Sequence, residues 1–360
     1  MESFYVNLDS LTTFASRLGQ RGTDATASAG PYVQTHLGVS PTSGQIFAQA
    51  AELLSELQTT LTTHFAGQGT VFGACRDEIN ATVADYAASD STVTSTMRTL
   101  DANSEAGLAD GRYPDDGLAD QTLGTTVPVG SDPAALLTTP TSTIVNSTFD
   151  LDPLSAASWI ANIIEWCSGY NFIEERSKTF GGDWEGFDKA SSAIWHLSQF
   201  TEAQSNEMAA STQSARSDWS GSAASAAETY FTGLRDKLLV ASDAIAAASS
   251  DMREFADAMA GAVATYEATI NLCIDTVLGA AFALAAAGIF AATGVGAIVT
   301  GSVAGAAVVA IIAAAAAAWE VLMAVGDIVN LLRFGVGFLT TADGASLSLT
   351  TPAAYDNLLV

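Results

Sequence analysis

Residues 231–273 read FTGLRDKLLVASDAIAAASSDMREFADAMAGAVATYEATINLC, and no other stretch constrains the architecture as tightly. Phe231, Leu238, Ile245, Met252, Met259, Tyr266 and Cys273 hold one position of a seven-residue repeat. Leu234, Ala241, Ala248, Phe255, Ala262 and Thr269 hold the other. Such a repeat keeps apolar side chains on one side of a helix and indicates a seam against a second helix. Only Thr269 is polar among these positions, so the segment predicts a long bundle helix.

Working upstream, a helix from about residue 186 to about 216 carries Phe187, Ala190, Ile194 and Leu197 at helical spacing. Between the two helices lies Ser217-Asp218-Trp219-Ser220-Gly221-Ser222, which suits a tight turn. The N-terminal part predicts another hairpin. Asp9 or Ser10 can cap a first helix bearing Leu11, Phe14 and Leu18, and Gly30-Pro31 is expected to stop it. A second helix runs from near Ser43 to about Leu100, with Phe65, Phe72, Ile79, Tyr86, Val93 and Leu100 at every seventh position. Val83 and Met97 fall between them, and Gly67, Gly69 and Gly73 predict a weak or kinked middle. Between the hairpins, residues 106–153 are rich in Gly, Asp, Thr and Pro and read as a linker.

Downstream of Asp275 the chain carries no charge until Glu320. Thr293-Gly294-Val295-Gly296 divides that run into arms of about 18 and about 23 residues, near the length that crosses a bilayer. Both arms are alanine-heavy and therefore weakly hydrophobic on insertion scales. The expected architecture is all-α: two helical hairpins forming an elongated four-helix bundle, followed by an Ala/Gly-rich apolar helical hairpin. Its parts are a hairpin over 1–105, a linker over 106–153, a hairpin over 154–275, apolar helices over 276–335 and a tail over 336–360.

Thirteen basic against 39 acidic residues leave a net charge of −26. Phosphate binding needs clustered Lys and Arg, so nucleic acid is excluded as a partner class. Cys75, Cys167 and Cys273 lie far apart, without metal-type spacing, at apolar helical positions, and read as buried thiols, or as one disulfide with one thiol left over if the protein is exported. The N-terminus, Met-Glu-Ser-Phe-Tyr-Val-Asn-Leu-Asp, has neither the basic nor the apolar region of a Sec signal peptide, so export would need another route.

No nucleophile elbow, zinc-protease helix, phosphate loop or dinucleotide fingerprint occurs. His36, His64 and His196 are scattered in sequence, and His64 falls in a seam. Asp115-Asp116 lies in the linker and reads as solvated. No enzyme, cofactor or metal is expected.

Two short motifs remain. Trp219-Ser220-Gly221 sits between amphipathic helices, and Tyr86 and Asp90 form a Tyr-x-x-x-Asp one helical turn apart on an apolar seam. A Trp-x-Gly serves equally well as an aromatic plug over a bundle end. The carboxylate is harder to explain, because Asp90 on a core stripe needs a partner, a helix terminus or exposure where the seam ends. With these motifs, residues 4–105 resemble the EspC-like proteins of type VII (ESX) secretion, and residues 150–335 resemble the EspA-like proteins. The resemblance implies an actinobacterial, secreted or cell-surface protein whose Tyr86 and Asp90 are read by the secretion machinery. It also implies co-secreted helical partners, and further copies of the chain are a second expected partner. Since one chain holds both motifs, an intramolecular bundle should bring Trp219 and Gly221 near Tyr86 and Asp90. The chain departs from the EspA-like pattern in having no long low-complexity tail.

The leading expectation is a non-enzymatic interaction or structural protein exported by such a system. The alternative is a membrane-active effector inserting residues 276–319, where Gly301 and Gly305 would let apolar helices approach closely. A carrier for a toxin domain fits poorly, because little chain follows the apolar segment.

Overall fold

A computed structural model describes residues 5–39, 44–105, 132–144 and 181–286, with single helical positions at 309, 313 and 316. The described chain is all-helical apart from two strands of two residues each. In order come β1 (Tyr5–Val6), α1 (Leu8–Thr23), a π-helical turn (Asp24–Ala29), α2 (Gly30–His36) and α3 (Gln45–Glu105). A 3-10 turn (Pro133–Leu136), α4 (Trp184–Ser217), β2 (Trp219–Ser220) and α5 (Ser222–Ala286) follow. Helices α1 and α3 pack as one hairpin, and α4 and α5 as another.

The first helix begins earlier than the sequence predicts. Its cap is Asn7, whose side-chain oxygen accepts from the N–H groups of Asp9 and Ser10 at 3.0 and 3.3 Å. Asp9 instead lies in the first turn, where its charge faces the positive helix end. Gly30-Pro31 does not stop the arm either. The wider π turn carries the chain into α2, where Pro31 falls in the first turn and its missing N–H costs nothing. Gly69 does not simply weaken α3. Its Cα approaches the π turn so closely that a Cβ there would lie 2.3 Å from the Thr26 methyl, so the glycine allows the close approach of the two segments.

The seam of α5 is buried from Phe231 through Leu238, Ile245, Met252 and Met259 to Tyr266. Phe65, Phe72 and Ile79 of α3 are buried likewise. Side chains from both hairpins share two hydrophobic clusters. One holds Phe47, Phe65, Trp184, Phe187, Phe200, Phe255 and Tyr266. The other holds Leu11, Phe14, Phe72, Ile79, Trp219, Phe231 and Leu238. Each large apolar side chain so buried stabilises by about 1.5–3 kcal/mol.

A polar layer separates the clusters. Arg21 lies 3.5 Å from Asp24 and 3.3 Å from Glu207, and Gln68 donates to Gln204 at 2.5 Å. Serines fix the register of α4 against α5. Ser249 donates to the Ser191 carbonyl at 2.8 Å, Ser242 to that of Ser198 at 2.9 Å, and Ser205 to that of Arg235 at 3.1 Å. These rungs recur every seven residues on both helices, running in opposite directions.

Both long helices continue beyond the shared core. On α3 the seven-residue stripe goes from buried Ile79 through half-buried Tyr86 to Val93, which is 56% exposed. On α5, Leu272 is 62% exposed after fully buried Tyr266.

Candidate functional site

The turn between α4 and α5 is built around Trp219. Gly221 has φ 112°, a conformation that L side chains rarely adopt, and it lets α5 start three residues after the tryptophan. The indole is 2% exposed. Its ring N–H donates to the Tyr86 hydroxyl at 3.4 Å, across a sequence separation of 133 residues. Asp90, one turn further along α3, is exposed. The carboxylate that looked costly on an apolar stripe therefore stands in solvent, where the seam runs out.

The N-terminal segment clasps the same turn. Tyr5 and Val6 pair antiparallel with Ser220 and Trp219. The Asn7 N–H donates to the Asp218 carbonyl at 2.8 Å, and the Ser10 hydroxyl donates to the Asp218 carboxylate. Arg216 donates to the Trp219 carbonyl at 3.3 Å and forms an ion pair with Glu228 at 2.9 Å, joining the last turn of α4 to α5. This strand pair is absent from the sequence reading. Two residues carry no alternation to detect, and only Asn7 as a cap hints that the preceding chain is extended.

Both hairpins thus meet at this turn, which supplies the indole, while α3 supplies the phenol and the exposed carboxylate. Such a surface can bind a partner through the half-buried phenol and the exposed carboxylate. Gly301 and Gly305 lie outside the described residues, as do Cys167, Asp115, Asp116 and most of 276–319. Cys273 lies on α5, outside the described side chains. Among the described residues no helix is long and apolar enough to cross a membrane.

Cys75 is buried, 3.8 Å from the Tyr230 hydroxyl, and burial pushes its thiol up to about 11. A thiol held protonated in this way is a poor nucleophile. His64 is buried in the seam with its ring edge-on to Phe65. His36 and His196 are not scattered in space, because both approach Tyr32, with ring centroids 4.5 and 6.4 Å from the phenol. No family model, no curated protein and no solved structure matches this chain.

Proposed function

We propose that this chain is a non-enzymatic substrate of a type VII (ESX) secretion system, exported as an interaction or structural protein. One observation carries the reading: the Trp219 indole meets the Tyr86 hydroxyl, with Asp90 exposed one turn beyond. A Trp-x-Gly and a Tyr-x-x-x-Asp far apart in sequence are juxtaposed at one end, as the resemblance to EspC-like and EspA-like modules implies. In this reading the hairpins make an elongated four-helix bundle, and the apolar hairpin lies beyond it. Secretion machinery or its chaperone reads the Trp219–Tyr86–Asp90 end. Co-secreted helical proteins, or further copies of the chain, then engage the exposed stripes of the long helices.

Asp90 gives the cleaner test, since its side chain is exposed and Tyr86 touches the core. In a host with an active type VII system, Asp90→Ala should keep its helical content and cellular level while disappearing from the medium. Tyr86→Ala should do the same with some loss of stability. Secretion of both variants at the normal level overturns the proposal.

A further inference from the structure

Residues 132–144 lie within the stretch that reads as a linker, yet they dock on the helices, and they dock far from the end of α3. The 3-10 turn Pro133–Leu136 packs on α4 and on the π turn, whose Thr26 lies against Gly69 of α3. From there the segment runs toward the start of α4. The Tyr32 hydroxyl donates to the Thr138 carbonyl at 2.6 Å, and the Thr143 N–H donates to Asp188 at 2.9 Å. The start of α4 faces the start of α3, where Trp184 meets Phe47 with ring centroids 5.0 Å apart.

Helix α3 runs the other way. It continues to Glu105, about 28 Å past Tyr86 at about 1.5 Å per residue. Tyr86 marks the level of the Trp219 turn, and every described side chain from Ala87 to Thr96 is exposed. Between Gly69, where the docked segment begins, and Glu105 lie about 54 Å of helix.

The 26 residues 106–131 have to cover that distance if the segment is to reach the α4–α5 hairpin beside its own α3. A Gly-rich chain of this length extends to about 86–94 Å at most, but its relaxed end-to-end distance is about 26–31 Å. Closure within one molecule therefore holds this connection at roughly twice its relaxed span. Residues 145–180 carry no such tension, because Thr143 and Gly181 both lie at the start of α4. The chain thus divides at 106–131.

We propose that two copies of this chain exchange hairpins, residues 1–105 of each packing on residues 132–286 of the other. The core contacts are all kept, and Trp219 of one copy meets Tyr86 of the other. With the two α3 ends side by side and antiparallel, each tip reaches the level of the other copy's Tyr86. From there to Gly69 is about 25 Å of helix, which matches the relaxed span of the connection. The pairing also covers Val93, on a helical segment that is marginal in water by itself. The inference goes beyond the export reading, and its test does not use secretion.

Ser10 and Asp218 touch across the two hairpins, which makes them reporters of exchange. One copy carrying Ser10→Cys and another carrying Asp218→Cys are unfolded, mixed and refolded at about 100 µM, then treated with a short bismaleimide. Because each copy has a net charge of −26, the buffer holds about 0.3 M salt. A crosslink between the two substituted positions, identified by peptide mass, should join different copies. Light scattering on otherwise natural chains reads the dimer share. Deleting residues 112–119 should raise it at least about tenfold, since about 18 residues extend only to about 59–65 Å. Inserting about 20 Gly and Ser residues after Gly117 should lower it at least about fivefold, and decides the matter if the deletion variant does not fold. A natural chain that stays monomeric under these conditions overturns the proposal, as does a dimer share indifferent to connection length. A dimer without the crosslink between copies also overturns it, because intact hairpin pairs would then be meeting through another surface.

Discussion

Trp219 owes its buried place to Gly221, whose positive φ turns the chain sharply enough to lay the indole against Tyr86 of α3. The residue types made this turn legible: a large aromatic followed two residues later by glycine, between two apolar repeats, has few other uses. Trp219→Ala should destabilise by about 3–5 kcal/mol, because it empties a closed site. Trp219→Phe should cost less and remove only the bond to Tyr86, worth about 0.5–1.5 kcal/mol. An unchanged urea midpoint in the alanine variant would show that the indole does not hold the end together. Cys75 supports a second expectation. Its folded-state thiol is raised from 9.0 to about 11 by burial, so the stability it confers is complete below 9.0 and declines as pH rises through about 11. Urea midpoints measured across that range should fall less steeply for Cys75→Ala than for the natural chain.

At the scale of elements, what was readable followed from side-chain size. The α5 seam was legible because Phe231, Leu238, Ile245 and Met252 recur at fixed spacing, and each is buried as that spacing predicts. The α4–α5 register was not, because hydroxyls on Ser191, Ser198, Ser205, Ser242 and Ser249 look like surface residues in a sequence. Their burial follows from close backbone approach, which periodicity does not report. The continuation of the first arm past Gly30-Pro31 was missed for a related reason, since Pro31 is harmless at the start of α2. If the serine rungs set the interhelical spacing, Ser249→Leu should cost about 1–3 kcal/mol by forcing the helices apart. Ser249→Ala, which only deletes one hydroxyl, should cost about 0.5–1.5 kcal/mol. Equal denaturation midpoints for the two variants would show that the spacing has room to spare.

For the molecule as a whole, the question is whether the hairpins are independent units joined by a linker. The cores argue otherwise. Phe65 of α3 stacks edge-on against Phe200 of α4, with ring centroids 5.8 Å apart, and Phe14 of α1 meets Phe231 of α5 at 4.9 Å. Arg21 and Glu207 pair across the same boundary at 3.3 Å, both largely buried. Separating the hairpins would expose the aromatics to water and break that ion pair, and the apolar burial lost is about 1.5–3 kcal/mol for each large side chain uncovered. A repeat reports a buried side without naming its partner, so in the sequence the expectation that the two hairpins pack together rested on their motifs and not on their seams. Residues 1–105 expressed alone should therefore be poorly ordered or self-associated, and residues 181–286 likewise. Mixing the two fragments should restore a cooperative melt and shift the tryptophan emission of residues 181–286 to the blue as Trp184 and Trp219 become buried. Stable, monomeric folding of either fragment by itself, with no spectral change on mixing, would show that the shared cores contribute little and that the two hairpins fold as separate domains.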